Sequence, residues 1–208
     1  PYWVYRTYGD MQVIKDQFES MKKWILYMES KGSVRGLFDM HDHHFGDWLS
    51  LDAGDEATGG FTDNNLIGSA YLVYSNRLFI KMGKVIGEDM SYFEELYECS
   101  LREYKKKYLN TGKPEHETQT ANVLAIYFDL TDDIQREGKK LVDDIEACGH
   151  LKTGFVGTPY LLHALTKIGR ADVAYKLLLK KDFPSWLFPV TKGATTMWER
   201  WDGAKKDG

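Results

Sequence analysis

Three times along this chain, a helix-length stretch that is apolar on nearly every side is followed by one that is apolar on a single side. Leu66, Ile67, Ala70, Tyr71, Val73, Tyr74, Leu78, Phe79, Met82 and Ile86 form the first all-round stretch. Gly87-Glu88-Asp89 breaks it. Met90, Phe93, Tyr97, Leu101, Tyr104 and Tyr108 then share one face, with Glu94, Glu95, Glu98, Arg102, Glu103 and Lys105 on the other. The alternation recurs in Thr120 to Leu130 against Ile134, Leu141, Val142, Ile145 and Cys148, and again in Tyr160 to Ile168 against Val173, Ala174, Leu177 and Leu178. A helix apolar all round is touched on all sides, and a helix with one stripe is touched on one. Inner and outer helices in alternation describe two concentric layers, and no stretch shows sustained strand alternation. The expected fold is all-α, and the simplest closed arrangement is an (α/α)6 toroid. Its site lies where the inner-helix ends and their loops converge.

The pattern does not fill six hairpins. Ahead of the three pairs stands an amphipathic helix carrying Ile14, Phe18, Met21, Ile25 and Met28, started by Asp10 and ending near Lys31-Gly32. Ahead of that, Trp3 to Tyr8 reads as the tail of another helix, closed by Gly9. The expectation is therefore an incomplete toroid, about half to two-thirds of the ring, with residues 1–208 forming the C-terminal part of a catalytic domain cut at both ends. An incomplete ring exposes inner-helix apolar surface, so self-association through the open face is expected.

The loops hold the chemistry. Residues 32–62 show no period, carry six glycines and many aspartates, and exceed the usual length of a connection in a compact domain, a feature that tends to accompany function. Within them, Gly46 before Asp47-Trp48 lets the backbone turn tightly and project an acid and a flat ring into one space. An acid grips sugar hydroxyls and a ring stacks on a sugar face; equally, Trp48 and Leu49 could anchor the loop to the core. Near the C-terminus, Glu199 stands in Trp198-Glu199-Arg200-Trp201, a carboxylate between two tryptophans beside an arginine. Rings that exclude water around an acid suit a sugar site. The plainer alternative is a surface loop whose tryptophans plug the core.

Other features are weaker. His41, Asp42, His43, His44 and Asp47 could hold a metal, but no further histidine stands at ligand spacing, and solvated loop residues are the expectation. No metal or cofactor is expected. His163, on an apolar helix, is expected to be a satisfied core histidine, and His116 and His150 are isolated. Gln119 is either a polar group at an inner-helix mouth or part of a helix's first turn. Thr153 to Tyr160, with two glycines ahead of Thr158 as cap and Pro159 at the first helical position, is weak evidence for an anion site. Cys99 and Cys148 lie where burial fits, as inert thiols rather than a disulfide framework. A net charge of −4 without a basic stripe beyond Lys105-Lys106-Lys107 and Lys180-Lys181 gives no sign of a nucleic-acid or anionic-membrane partner. No apolar run approaches a membrane span. The compartment is not legible, since no leader is present to read.

Several segments taken together carry a family resemblance. Phe45-Gly46-Asp47-Trp48-Leu49, Thr118-Gln119-Thr120-Ala121, Thr153 through Leu162, Pro184-Ser185-Trp186 and Gly193 through Asp202 resemble, in that order, bacterial α-L-rhamnosidases of glycoside hydrolase family 78. The resemblance runs nearly the whole chain and is most specific in the last segment. It implies a six-hairpin catalytic toroid that removes terminal α-L-rhamnose from glycosides, with inversion and without a nucleophilic metal. It implies that Glu199 is the general base and that Trp48 lines the rhamnose pocket. Asp47, Trp198, Arg200 and Trp201 are the further substrate-binding candidates. The family's general acid, in an Asp-Glu-Arg-rich motif N-terminal to this region, has no counterpart here. A family histidine shortly after the Trp-Glu-Arg-Trp segment and the accessory β-domains have none either. The expectation is thus a fragment that carries the base and lacks the acid. The rival expectations are a non-catalytic sugar-binding or scaffold toroid and another toroid enzyme, either a glucoamylase-like hydrolase or a polysaccharide lyase. The lyase fits less well without a basic groove.

Overall fold

The apolar periods place the helices where the structure has them. A computed structural model of the chain describes residues 1–39, 44–53 and 58–203, and among these it is all-helical, without a strand. The helices are α1 (Tyr2–Tyr8), α2 (Gln12–Ser30), α3 (Asn64–Ile86), α4 (Ser91–Tyr108), α5 (Gln119–Tyr127), α6 (Ile134–Cys148), α7 (Thr158–Lys167), α8 (Ala171–Leu178) and α9 (Leu187–Thr191), with a short 3-10 turn at Pro114–His116. The hairpins α3–α4, α5–α6 and α7–α8 are the three expected pairs. The chain divides into two compact units, Pro1–His44 with Asn64–Thr111, and Phe45–Asp63 with Gly112–Gly208.

In the first unit α3 is the inner helix, buried from Leu66 through Gly83 on most of its circumference, while α2 and α4 bury one face each. Phe79 is the hub: it stacks on Phe18 at 4.8 Å between ring centroids and meets Phe93 edge-on at 4.8 Å. Side chains of this size contribute about 1.5–3 kcal/mol each when fully buried. Gly83 makes this packing possible, because a Cβ there would sit 2.1 Å from the Met90 sulfur. α1 ends at left-handed Gly9, as the pattern predicts, whereas the N-cap of α2 is Met11 rather than Asp10, whose carboxylate accepts the Gln12 N–H at 2.8 Å.

In the second unit α5 is buried from Gln119 to Ile126, and α6 shows only Glu137, Gly138, Leu141, Val142 and Ile145 to the core. Thr118 caps α5 by accepting the Ala121 N–H, and Asp133 caps α6 by accepting the Arg136 N–H. Two expectations are corrected here. The cap of α7 is Gly157, not Thr158, whose hydroxyl instead donates to the Thr153 carbonyl at 3.0 Å. And α7 is not covered all round: only Leu161, Ala164 and Leu165 are buried, because its other face opens onto a cavity. Cys99 and Cys148 are free thiols, half-buried rather than enclosed. Among the described residues no helix is long and apolar enough to cross a membrane.

Candidate active site

The Asp47-Trp48 turn is built on unusual backbone. Gly46 has φ 62° and Leu49 φ 58°, so two left-handed residues bracket the pair. The turn is then tied to the segment before α7. Phe155 donates its N–H to the Trp48 carbonyl at 2.9 Å, and Leu51 donates to the Lys152 carbonyl at 2.8 Å. Gly154 passes so close that a Cβ would fall 2.3 Å from the Trp48 carbonyl oxygen. Gln119 braces the same segment: its side-chain oxygen accepts the Lys152 N–H at 2.8 Å, and its amide donates to the His150 carbonyl at 3.3 Å. It is a buried clamp rather than a group lining the site.

Asp47 is the centre of this wiring. It is fully buried, and its carboxylate accepts the Gly154 N–H at 2.8 Å, the Val156 N–H at 2.9 Å and the Thr120 hydroxyl. Burial pushes its pKa up, while the three donors pull it down. The glycine-rich segment before α7 does hold an anion, and that anion is the protein's own Asp47. The residue therefore sits behind the wall of the cavity, with both oxygens committed, and not on its surface.

The cavity has a volume of about 910 Å3 and brings together motifs from distant parts of the sequence. Trp48 lines one part, Phe155, Pro159, Leu162 and His163 another, and Trp198, Glu199, Arg200, Trp201 and Asp202 a third. A volume of this size accommodates a ligand larger than a single sugar ring. Trp201 is half-buried; it packs on the α5–α8 core and meets Trp186 edge-on at 5.4 Å. It therefore packs on the core and lines the cavity at once. Trp198 lies over Gly203, where a Cβ would approach its ring carbon to 3.1 Å.

Glu199 is exposed, and among the described residues no hydrogen bond or ion pair holds its carboxylate. Arg200, a substrate-binding candidate beside Glu199 in the sequence, pairs with Asp202 at 3.0 Å. His163 is a correction: it is exposed on the cavity wall, not satisfied in the core. Phe183, Phe188 and Met197 also line the cavity and were not singled out by their residue type. The bulky apolar residues around Pro184 and the Met before Trp198 were the available signal. His41, Asp42 and His43 of the metal reading lie outside the described residues. The described His44 is tilted against Phe38, with centroids 6.4 Å apart. His116 is buried against Asp63 at 3.3 Å.

With the geometry in place, comparison with known proteins gives a consistent result. Residues 1–208 match the family profile described as the bacterial alpha-L-rhamnosidase 6 hairpin glycosidase domain. The chain is 39% identical over 212 residues to an alpha-L-rhamnosidase of Streptomyces avermitilis, covering 100% of this chain and 20% of that protein. It is 34% identical to an alpha-L-rhamnosidase of Formosa agariphila, covering 99% of this chain and 23% of that one. Among solved structures, the Streptomyces avermitilis alpha-L-rhamnosidase complexed with L-rhamnose superposes with a TM-score of 0.86 at 38% identity, over 100% of this chain and 20% of that one. The native Aspergillus terreus enzyme superposes with a TM-score of 0.91 at 31% identity, over 100% of this chain and 25% of its own. The chain therefore spans about a fifth to a quarter of the length of the relatives it matches.

Proposed function

Since the chain belongs to the bacterial alpha-L-rhamnosidase six-hairpin glycosidase family, we propose that it forms part of an inverting glycoside hydrolase that removes terminal α-L-rhamnose from glycosides. The observation that carries this reading is the single cavity lined by both Trp48 and the Trp198–Asp202 run. A solved relative complexed with L-rhamnose supports a rhamnoside as its substrate.

In this reading Trp48 presents its face to the C–H surface of the sugar. Its position is fixed by the Asp47 carboxylate, so Asp47 acts as a positioning residue and does not touch the substrate. Glu199 is the general base. With no described partner on its carboxylate, its oxygens are available to accept a proton from the attacking water. Trp198 and Trp201 flank it and line the same cavity. Inversion requires a second carboxyl, roughly 6.5–9.5 Å away, that protonates the leaving oxygen while the water attacks from the opposite face. The other carboxylate on this cavity wall, Asp202, is engaged by Arg200. We assign the acid to residues outside these 208, so the chain supplies the base side of a site completed elsewhere. Self-association of the isolated chain belongs to the same reading, and a strictly monomeric profile in light scattering would count against it.

The test uses the chain extended to the full length of its relatives, with an aryl α-L-rhamnoside as substrate and the product anomer followed by NMR. The expected first product is β-L-rhamnose, and the 208-residue chain alone should show no turnover above background. Retention of configuration would overturn the inverting assignment. L-Rhamnose binding without hydrolysis by the long form would make the domain a sugar-binding scaffold instead.

A further inference from the structure

The cavity face of α7 carries a polar group that the proposed chemistry does not use. Pro159, Leu162 and His163 fall at i, i+3 and i+4, so they share one face of the helix, and all three line the cavity. The first two are apolar. His163 is exposed, and among the described residues its only contact of note is with the Tyr127 ring, 5.9 Å away between centroids and tilted by 39°. Tyr127 is itself stacked on Tyr160 at 4.6 Å. Neither imidazole nitrogen has a hydrogen-bond partner among the described residues. An imidazole with two free nitrogens on the wall of a cavity has a donor and an acceptor to offer a ligand's polar atom.

Its place relative to Trp48 indicates which part of the ligand it meets. The Phe155 N–H to Trp48 carbonyl bond holds Trp48 at the N-terminal end of α7. His163 lies five residues along the helix from Thr158, about 7.5 Å at the usual helical rise. Trp48 and His163 thus line the same cavity from separate points, so that one can meet the terminal sugar while the other meets the unit attached to it.

We propose that His163 is a specificity-determining residue that hydrogen-bonds a hydroxyl on the leaving group, so that this site favours rhamnosides whose aglycone carries a hydroxylated ring next to the scissile bond. The inference rests on the rhamnosidase reading above. It differs from that reading in assigning a residue to the leaving group, whereas Trp48 and Glu199 act on the rhamnosyl unit.

The experiment compares two substrates with the full-length enzyme: phenyl α-L-rhamnoside, whose aglycone has no hydroxyl, and an α-L-rhamnosyl-glucose disaccharide. His163→Ala should lower kcat/KM for the disaccharide about five- to tenfold, the scale of one hydrogen bond, mostly through KM. For phenyl rhamnoside it should stay within about twofold, which also reports that the variant folds. His163→Gln, which keeps a donor and an acceptor, should recover most of the loss. Equal losses on both substrates, or no change on either, would overturn the assignment. If the unmodified enzyme hydrolyses neither substrate, the rhamnosidase reading fails and this inference falls with it.

Discussion

Two walls of one cavity are held in opposite ways. The Trp48 wall is wired by buried hydrogen bonds: Asp47 takes three donors, and the backbone of residues 48–51 pairs with residues 152–155. The Glu199 wall has Arg200 paired to Asp202 at the surface and Trp201 packed into the core, and its central carboxylate is tied to nothing described. A stacking platform gains from rigidity, because ordering is then not paid for on binding. A base must give its oxygens to water, so hydrogen bonds that immobilised it would compete with its task. Under the proposed function, the difference follows a division of labour between recognising a sugar and moving a proton.

That contrast can be broken by substitution. The largest effect on stability should come from Gly154→Ala, whose Cβ would also meet the Ser50 nitrogen at 2.6 Å and the Asp47 carbonyl oxygen at 2.7 Å. These are backbone atoms that cannot move aside cheaply, so a loss of about 2–3 kcal/mol is expected in urea denaturation. Asp47→Asn comes next. An amide has one acceptor oxygen for three donors, so at least one buried N–H faces an NH2 group. The expected cost is about 1–3 kcal/mol, with weaker L-rhamnose binding by calorimetry in the full-length enzyme. On the opposite wall, Asp202→Ala removes an ion pair whose side chains are 39% and 42% exposed, and stability should change by less than about 1 kcal/mol. If this surface pair matters as much as Asp47, the contrast is wrong.

A smaller effect concerns pH. Because burial raises the pKa of Asp47, the folded chain binds that proton more tightly than the unfolded chain. The stabilisation from this term is complete below the unfolded value, about 3.9, and is lost as pH rises through the raised folded value. Asp47→Asn cannot titrate, so this fall should be missing from its profile of unfolding free energy against pH. Superimposable profiles would mean that the donors fully offset burial.

The helices were legible because burial on one side or on all sides writes itself into apolar spacing. The α6 period survives intact behind its Asp133 cap, while α5, capped by Thr118, ends at Tyr127, short of the expected Leu130. α9 was not legible: five residues containing Pro189 are too short to show a period. The lining of the candidate site was legible in part as residue types, a carboxylate between tryptophans and a ring after Gly46-Asp47. What escaped was partnership. Asp47 looks like a sugar-gripping acid until Gly154 and Val156, more than a hundred residues away, claim its oxygens. His163 looks like a core residue because apolar neighbours predict burial, and only the open side of α7 shows otherwise.

In the proposed mechanism everything turns on Glu199 taking the proton from the attacking water. Its direct test is Glu199→Gln in the full-length enzyme, with kcat on an aryl α-L-rhamnoside and L-rhamnose affinity measured side by side. A general base at this position requires kcat to fall about 10²–10⁴-fold with rhamnose affinity nearly unchanged. A kcat within a few-fold of the unmodified enzyme would contradict it.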